Sequence, residues 1–196
     1  MRILTLIIII VTIVLLTLYF VRLVRLEVTY VKSSLDNRNY KVINNDDKEE
    51  AAYILSVIAQ KIKKLREYLV INVKKYPEYG TYILLMNRRL GKVILSENEP
   101  NGRETSYTLN KGEEISLCLK SQKTGEFHDF NLIMYIVLHE LSHVACPELQ
   151  HTELFKKIFI FIIQVACDIG IYTYINYNIN PHEYCGITIT ENLLNR

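Results

Sequence analysis

Five consecutive residues, His139-Glu140-Leu141-Ser142-His143, have the types and spacing of a metal-dependent hydrolytic site. On an α-helix, residues four positions apart lie on the same face, so the two imidazoles can bind one metal ion. Glu140 lies between them in the sequence and could deprotonate a metal-bound water. The spacing therefore predicts a zinc site that carries its own general base.

The competing interpretation is an amphipathic helix whose histidines are polar surface groups or hydrogen-bonded core groups. The residues around the two histidines are mostly apolar: Val137, Leu138, Leu141, Val144 and Ala145. A helix with this composition is expected to be buried, and a buried imidazole needs a polar partner. A metal ion is such a partner, so the composition favours the metal site.

The third ligand is predicted from the residues that follow. A catalytic zinc site has three protein ligands and one open position for water. His151 is the preferred candidate because it comes shortly after Pro147, which ends the helix. Glu148 and Glu153 are the alternatives, since a glutamate from a following segment is also used in such sites.

This ligand set predicts hydrolysis of peptide bonds in a protein or peptide substrate. Zinc would lower the pKa of its bound water and polarise the scissile carbonyl, while Glu140 would pass a proton to the leaving amine. Two weaker features could assist. The strand predicted over residues 114–120 could offer its edge to an extended substrate, and Tyr184 could donate a hydrogen bond to the oxyanion.

The N-terminal residues differ in composition from the rest of the 196-residue chain, whose net charge is +2. Residues 3–21 contain no charged side chain, which predicts a membrane-spanning helix. The run ends in bulky side chains without a small-residue cleavage site, which favours a retained anchor over a cleaved signal peptide. We therefore expect an anchor with its flank over residues 1–26 and a peptidase domain over residues 27–196.

Charge and cysteine usage give expectations about location. Arg22, Arg25, Lys32 and Arg38 follow the apolar run, which places the catalytic domain on the cytoplasmic side. In that reducing compartment, Cys118, Cys146, Cys167 and Cys185 would be small hydrophobic residues. Their even number also permits two disulfides, and Cys146 is a further, less favoured metal ligand.

The remaining pattern predicts an α+β fold. Strands are expected over residues 27–32 and 40–43, and a hairpin over residues 107–109 and 114–120. Helices are expected from residue 48 to about 70, over 131–145, and beyond residue 152 as a buried partner. Residues 77–120 are expected to be largely extended, with turns at their glycines.

A basic surface is the feature that would indicate nucleic-acid binding. One face of the helix predicted from residue 48 carries Lys61, Lys63, Lys64 and Arg66, which could form a basic patch with Lys74, Lys75, Arg88 and Arg89. No aromatic side chain is interleaved on that helix face for stacking on bases, so a solvated helix face is the favoured interpretation. Nucleic acid thus remains a weakly supported partner.

The segment HELSHVACPELQHTELF resembles the active-site segment of the WLM and SprT-like zinc peptidases. The resemblance implies that His139, His143 and His151 bind zinc and that Glu140 is the catalytic acid and base. It implies a minimal zincin-type domain, a small sheet with the metal-binding helix and partner helices. Seven residues, 144–150, separate the last two histidines, whereas the usual WLM spacing is five.

Three other segments resemble WLM-like proteins of large nucleocytoplasmic DNA viruses: DNRNYKVINNDDKEEAA, TSYTLNKGEEISLCL and GIYTYINYNINPHEYCGITIT. With the histidine segment they cover most of residues 33–190. The predicted function is a membrane-anchored zinc metallopeptidase. The alternative is a non-catalytic, zinc-stabilised membrane protein for virion or membrane-complex assembly, for which Glu140 would not be needed.

Overall fold

The computed structural model describes residues 2–25, 28–98 and 105–190 of the chain. Its helices are α1 (Arg2–Arg25), α2 (Lys48–Ile71), α3 (Gly80–Arg89), α4 (Phe130–Ala145) and α5 (Glu153–Asp168). Its strands are β1 (Val28–Lys32), β2 (Asn39–Ile43), β3 (Ile94–Glu97), β4 (Tyr107–Leu109), β5 (Glu114–Leu117), β6 (His182–Tyr184) and β7 (Ile187–Ile189). The predicted α+β class is confirmed.

Five strands form one mixed sheet in the order β1-β2-β3-β5-β4. The two outer pairs, β1 with β2 and β4 with β5, are antiparallel hairpins, as the sequence predicted. The two inner pairings, β2 with β3 and β3 with β5, are parallel. β5 is therefore an inner strand, and the prediction that residues 114–120 offer a free edge is wrong. The edge belongs to β4.

Helix α2 confirms the amphipathic pattern predicted from residue 48 onward. Its apolar face is buried in the core, at Ala51, Ala52, Leu55, Ile58, Ile62, Leu65 and Leu69. These positions recur every three or four residues, which is the period of one helix face. Because α2 packs beside β1, β2 and β3, it covers the half of the sheet away from β4.

Helix α3 was not predicted, since residues 77–120 were expected to be extended. Its buried side chains, Ile83 and Met86, are one helical turn apart, and Leu90 follows at the next turn. Gly80 and Gly91 suggested turns, and they do lie at the two ends of this short helix. The two glycines therefore indicated where α3 begins and ends. The apolar repeat between them, Ile83, Met86 and Leu90, was too short to predict a helix.

Helices α4 and α5 form the predicted metal-binding helix and its buried partner. Asp129 begins α4, because its Oδ1 accepts hydrogen bonds from the backbone N–H groups of Asn131 and Leu132 at 2.9 and 3.1 Å. Thr152 caps α5 by accepting from the N–H of Phe155. Both helices are largely buried and lie against each other.

Helix α1 contains the residues for which a membrane anchor was predicted. Its apolar side chains are half exposed, for example Leu15 at 61% and Phe20 at 63%. Among the residues that the structure describes, no helix combines the length and apolar character needed to cross a bilayer. The structure does form a helix over residues 3–21. It does not support the prediction that this helix spans a membrane.

The last two strands, β6 and β7, form a separate antiparallel hairpin that the sequence did not predict. Its two-residue turn consists of Cys185 and Gly186, whose φ angles are 48° and 86°. Positive φ at both turn positions is typical of tight β-hairpins, because it matches the twist of the strands. The hairpin and the residue after it bring residues 187–190 to the lining of the same cleft as β4.

Candidate active site

Helix α4 positions the first two predicted ligands and the predicted base. His139 and His143 are one helical turn apart, and their Nε2 atoms lie 3.2 Å from each other. Most other residues of α4 are buried, including Leu138, Leu141 and Ser142. A helix packed on nearly all sides cannot rotate about its axis, so the two imidazoles are held toward the same point.

His151 joins the two helical histidines from the loop that follows α4. Its Nε2 lies 3.2 Å from that of His143 and 3.0 Å from that of His139. Ligand atoms held at 2.0–2.1 Å from a tetrahedral zinc ion lie roughly 3.3 Å from one another. The three nitrogen atoms therefore fit three corners of a tetrahedral metal site, and the fourth corner can take water.

The alternative third ligands have other partners. Glu148 accepts a hydrogen bond from the Thr152 hydroxyl, and Glu153 pairs with Lys156 at 2.7 Å. Cys146 is a free, buried cysteine. Within the described part of the chain, the group of side chains able to hold a metal ion consists of the three histidines.

A single phenylalanine packs against all three imidazoles. The ring of Phe155 stacks on His143 at a centroid distance of 4.2 Å and lies 5.0 Å from His139 and 4.9 Å from His151. Phe159, one turn further along α5, contacts His139 at 5.1 Å. The partner helix thus packs its aromatic rings directly on the imidazoles and restrains their orientation.

Burial keeps His139 and His143 in the neutral form that can bind metal. It lowers the pKa of His139 to about 3, helped by the neighbouring His143 and His151. It lowers the pKa of His143 to about 4, with smaller contributions from His151 and Lys111. Imidazole binds metal through a neutral nitrogen, so these shifts favour metal binding at physiological pH.

Glu140 lies beside the histidines with its side chain mostly buried. Burial raises its pKa to about 7, although the hydrogen bond from Thr108 acts in the opposite direction. That bond runs from the Thr108 hydroxyl to Oε2 of Glu140 and is 2.6 Å long. A carboxyl group with a pKa near neutrality can both accept and return a proton, as general acid–base catalysis requires.

The histidines and Glu140 face a cleft of about 900 Å³. Its lining falls into two groups: α4 with the loop to His151, and residues 105–108 with residues 187–190. The residues along the strand side are mostly hydroxyl-bearing or apolar. Because β4 is the last strand of its sheet, its outer edge is available for backbone hydrogen bonds with an extended ligand.

Tyr184 reaches the same cleft from the β6–β7 hairpin, but its side chain is fully buried. Its hydroxyl lies 2.7 Å from the Ser106 hydroxyl, which also accepts a hydrogen bond from the Cys118 N–H at 3.0 Å. Burial raises the pKa of Tyr184, so it stays protonated. These bonds link the hairpin to β4 and β5, and the oxyanion role considered for Tyr184 stays a prediction.

A disulfide reinforces this link. Cys118, just after β5, is bonded to Cys185 at the turn of the hairpin, 67 residues further along the chain. Cys146 and Cys167 are not disulfide-bonded. The interpretation of all four cysteines as small hydrophobic residues is therefore wrong for this pair. The even cysteine count permitted disulfides, but no spacing indicated the pairing.

Thr108 and Ser106 were missed by sequence reasoning. Each is a single hydroxyl residue in a short polar stretch. The partner of Thr108, Glu140, lies 32 residues away, and the partner of Ser106, Tyr184, lies 78 residues away. No local pattern marks such a contact. The available signal was indirect, since the predicted hairpin of residues 107–109 and 114–120 would have to pack against the metal-binding helix to shield Glu140.

Comparison with known proteins gives matches in sequence and in fold. The family model of the WLM domain matches residues 81–158. The protein R325 of Acanthamoeba polyphaga mimivirus is 54% identical over 168 residues, covering 86% of this chain and 85% of that protein. The protein 136R of Invertebrate iridescent virus 6 is 32% identical over 125 residues, covering 63% of this chain and 66% of its own length.

Among solved structures, Wss1 from Saccharomyces cerevisiae aligns with a TM-score of 0.46 at 24% identity, covering 66% of this chain and 89% of Wss1. The sequence matches include the helix and loop that bear the three histidines. The chain belongs to the WLM-domain family and is a WLM-domain protein of the kind found in large DNA viruses.

Proposed function

We propose that this protein is a zinc metallopeptidase that hydrolyses peptide bonds in protein substrates. The observation that carries the proposal is the convergence of the His139, His143 and His151 Nε2 atoms beside the buried Glu140 carboxylate. Three imidazoles with one free corner are the ligand set of a catalytic zinc site rather than a closed structural site.

The chain's own residues supply the acid–base chemistry. A bound zinc ion would lower the pKa of a water ligand and polarise the scissile carbonyl. Glu140 accepts the proton of the attacking water on its carboxylate and then donates it to the nitrogen of the leaving amine. Thr108 holds Oε2 of Glu140 through its 2.6 Å hydrogen bond, which leaves the other carboxylate oxygen for this transfer.

Substrate binding follows from the free edge of β4. An extended polypeptide that adds to this edge would place its backbone along the cleft, between residues 105–108 and the histidines. A folded segment cannot offer its backbone in this way, so we expect unfolded or flexible substrate segments. Among the described residues that line the cleft, Lys111 carries the positive charge, and its ammonium already binds a backbone carbonyl. We therefore expect apolar and hydroxyl contacts along residues 105–108 and 187–190 to contribute to recognition.

The decisive experiment compares the full chain with its Glu140→Gln variant. Both should bind one zinc ion per chain, because Glu140 is not among the converging ligands. Cleavage of an unfolded protein such as casein, and self-cleavage, should fall by about 10²–10⁴-fold, the usual contribution of a general base. Metal content by atomic absorption and product formation by mass spectrometry are the two measurements.

Matched variants make the result interpretable. Glu148→Gln removes an exposed carboxylate close to the site and should leave both zinc content and cleavage unchanged. His151→Ala should lose zinc, whereas Glu148→Ala should keep it. Equal cleavage by the wild type and Glu140→Gln would contradict the peptidase proposal and favour the zinc-stabilised assembly protein instead.

We also propose, from composition alone, that residues 3–21 tether the protein to a membrane. The positive charge that follows them favours a cytoplasmic catalytic domain, whereas the Cys118–Cys185 disulfide favours an oxidising compartment. Carbonate extraction of membranes from expressing cells tests the tether, and protease protection of sealed vesicles tests the side. Recovery of the full chain in the carbonate supernatant would contradict the tether.

A further inference from the structure

The loop that presents His151 has little internal structure of its own. Residues 147–150 are exposed and form no helix or strand. Gln150, immediately before the ligand, has a left-handed backbone with φ of 64°. An exposed connection with this many free dihedral angles samples many conformations. Some contact outside the loop must therefore hold His151 against the two helical histidines.

Two cations from distant parts of the chain bind the carbonyls of this connection. The Arg89 Nη1 donates to the carbonyl oxygens of Val144 at 2.6 Å and Cys146 at 3.2 Å. The Lys111 Nζ donates to the carbonyl oxygens of Cys146 at 3.1 Å and of Glu148. We call Arg89 and Lys111 the cationic clamp. Its acceptors include carbonyls at the end of α4, where intrahelical donors are lacking and the helix dipole is negative.

The turn that contains Lys111 lies close against the end of α4. Asn110, Lys111 and Gly112 all have positive φ angles, of 46°, 59° and 119°. A Cβ atom on Gly112 would lie 3.0 Å from Cγ1 of Val144, so only glycine allows this close approach to α4. The left-handed backbone conformation of Lys111 costs conformational energy. Such conformations persist where the surrounding structure holds them in place, and they are common at functional sites.

We propose that the cationic clamp positions His151, and that metal affinity depends on it although neither residue binds the metal. The inference rests on the proposed zinc site and adds a pair of positioning residues to it. Lys111 fixes the loop at Glu148, three residues before the ligand, and Arg89 fixes its start at Val144 and Cys146. Together they divide the seven-residue connection into short segments with little freedom.

The experiment measures zinc affinity of the full chain by competition with a chromophoric chelator. The variants are Lys111→Met, which keeps the length without the charge, and Lys111→Arg, which keeps the charge and donors. Lys111→Met should weaken zinc binding by about 10–100-fold, as the loss of a residue that orients a ligand usually does. Lys111→Arg should recover most of the affinity, and the Co²⁺ absorption spectrum should show distorted coordination only in Lys111→Met.

Lys157→Met is the matched control, because it removes the same charge from an exposed position on the neighbouring helix α5. It should bind zinc as the wild type does. Thermal unfolding of the metal-free proteins, followed by circular dichroism, reports whether Lys111→Met is folded. If it is not, Arg89→Lys takes its place, since it keeps the charge, but the shorter side chain holds its ammonium back from the Val144 and Cys146 carbonyls that Arg89 Nη1 reaches. This variant should still weaken zinc binding.

Wild-type zinc affinity and an unchanged Co²⁺ spectrum in folded Lys111→Met, or in Arg89→Lys if that variant replaces it, would overturn the clamp and leave the proposed peptidase intact. Failure of the wild type itself to bind zinc would overturn both. Loss of affinity in Lys157→Met to the same extent as in Lys111→Met would also overturn the clamp, because it would assign the effect to net charge rather than to the loop.

Discussion

The cleft has a helical wall and a strand wall, and the two are held together in different ways. The helical wall, α4 with the start of α5, supplies His139, Glu140 and His143 from one continuous segment. The strand wall consists of β4 and the β6–β7 hairpin, which are distant in sequence. The hydroxyl groups of Ser106 and Tyr184, 78 residues apart in the chain, are hydrogen-bonded where the two segments meet. Apolar packing holds the first wall, whereas hydrogen bonds and a disulfide hold the second.

This difference separates two tasks of the site. Metal ligands must be fixed to within tenths of an ångström, and close-packed aromatic rings provide that rigidity. In the proposed peptidase, the strand wall would orient Glu140 through its hydrogen bond with Thr108 and would offer the edge of β4 to the substrate. We therefore expect changes in the helical wall to affect metal binding and stability, and changes in the strand wall to affect turnover and substrate binding.

The largest expected effect tests the helical wall. Phe155→Ala should lower the free energy of unfolding by about 3–5 kcal/mol, because it leaves a cavity at a side chain only 2% exposed. It should also weaken zinc binding, since Phe155 packs on all three imidazoles. Chemical denaturation of the metal-free protein and chelator competition measure the two effects separately.

Phe161→Ala is the matched comparison within α5. Phe161 is 6% exposed and stacks on Tyr79 at 4.0 Å, on the side of α5 away from the histidines. It should lose similar stability yet keep its zinc affinity. Equal losses of zinc affinity in the two variants would show that the metal site responds to general stability rather than to contact with Phe155.

The helical wall could be predicted from sequence because its information is local. The spacing of His139 and His143 follows from helix geometry, and Pro147 indicated where α4 would end. The apolar residues at three- and four-residue steps from Phe155 to Ala166 indicated a helix packed on α4. His151 could be predicted as the third ligand because it follows shortly after Pro147, where α4 was expected to end. The structure brings these histidines together, and their role as zinc ligands stays a prediction.

The strand wall could not be predicted in the same way. The position of β5 inside the sheet depends on parallel pairing with β3, which lies in the region predicted only as extended and without strand bounds. Short strands of three or four residues carry too little alternation to be recognised. The partners of Cys118 and Thr108 lie 67 and 32 residues away, so only the folded chain reveals them.

The disulfide provides the next test, of the strand wall. Replacing Cys118 and Cys185 together by serine should lower the free energy of unfolding by about 2–4 kcal/mol, because the bond closes a long loop in the unfolded chain. The loss should disappear when wild type and variant are compared under a dithiol reductant. Zinc affinity should be unchanged, since the helical wall does not contain the bond.

Cys167→Ser is the control, because Cys167 lies on α5 and takes no part in the Cys118–Cys185 disulfide. It should keep wild-type stability in both conditions. A double variant whose unfolding matches the wild type without reductant would contradict a stabilising disulfide. A double variant that loses zinc would contradict the independence of the two walls.

The smallest expected effect concerns the contact between the walls. Thr108→Val removes the hydroxyl that donates to Glu140 Oε2 while keeping the shape of the side chain. A hydrogen bond to a charged group contributes about 1.5–3 kcal/mol, so loss of its orienting effect should lower kcat by about tenfold or more. Thr108→Ser keeps the hydroxyl and should restore most of the rate.

Zinc affinity should be the same in Thr108→Val, Thr108→Ser and the wild type, because Thr108 contacts the base and not the ligands. A fall in kcat without a fall in zinc affinity would assign the orientation of Glu140 to the strand wall. Full activity of Thr108→Val would instead mean that α4 alone orients its glutamate, and that the strand wall serves only to bind substrate.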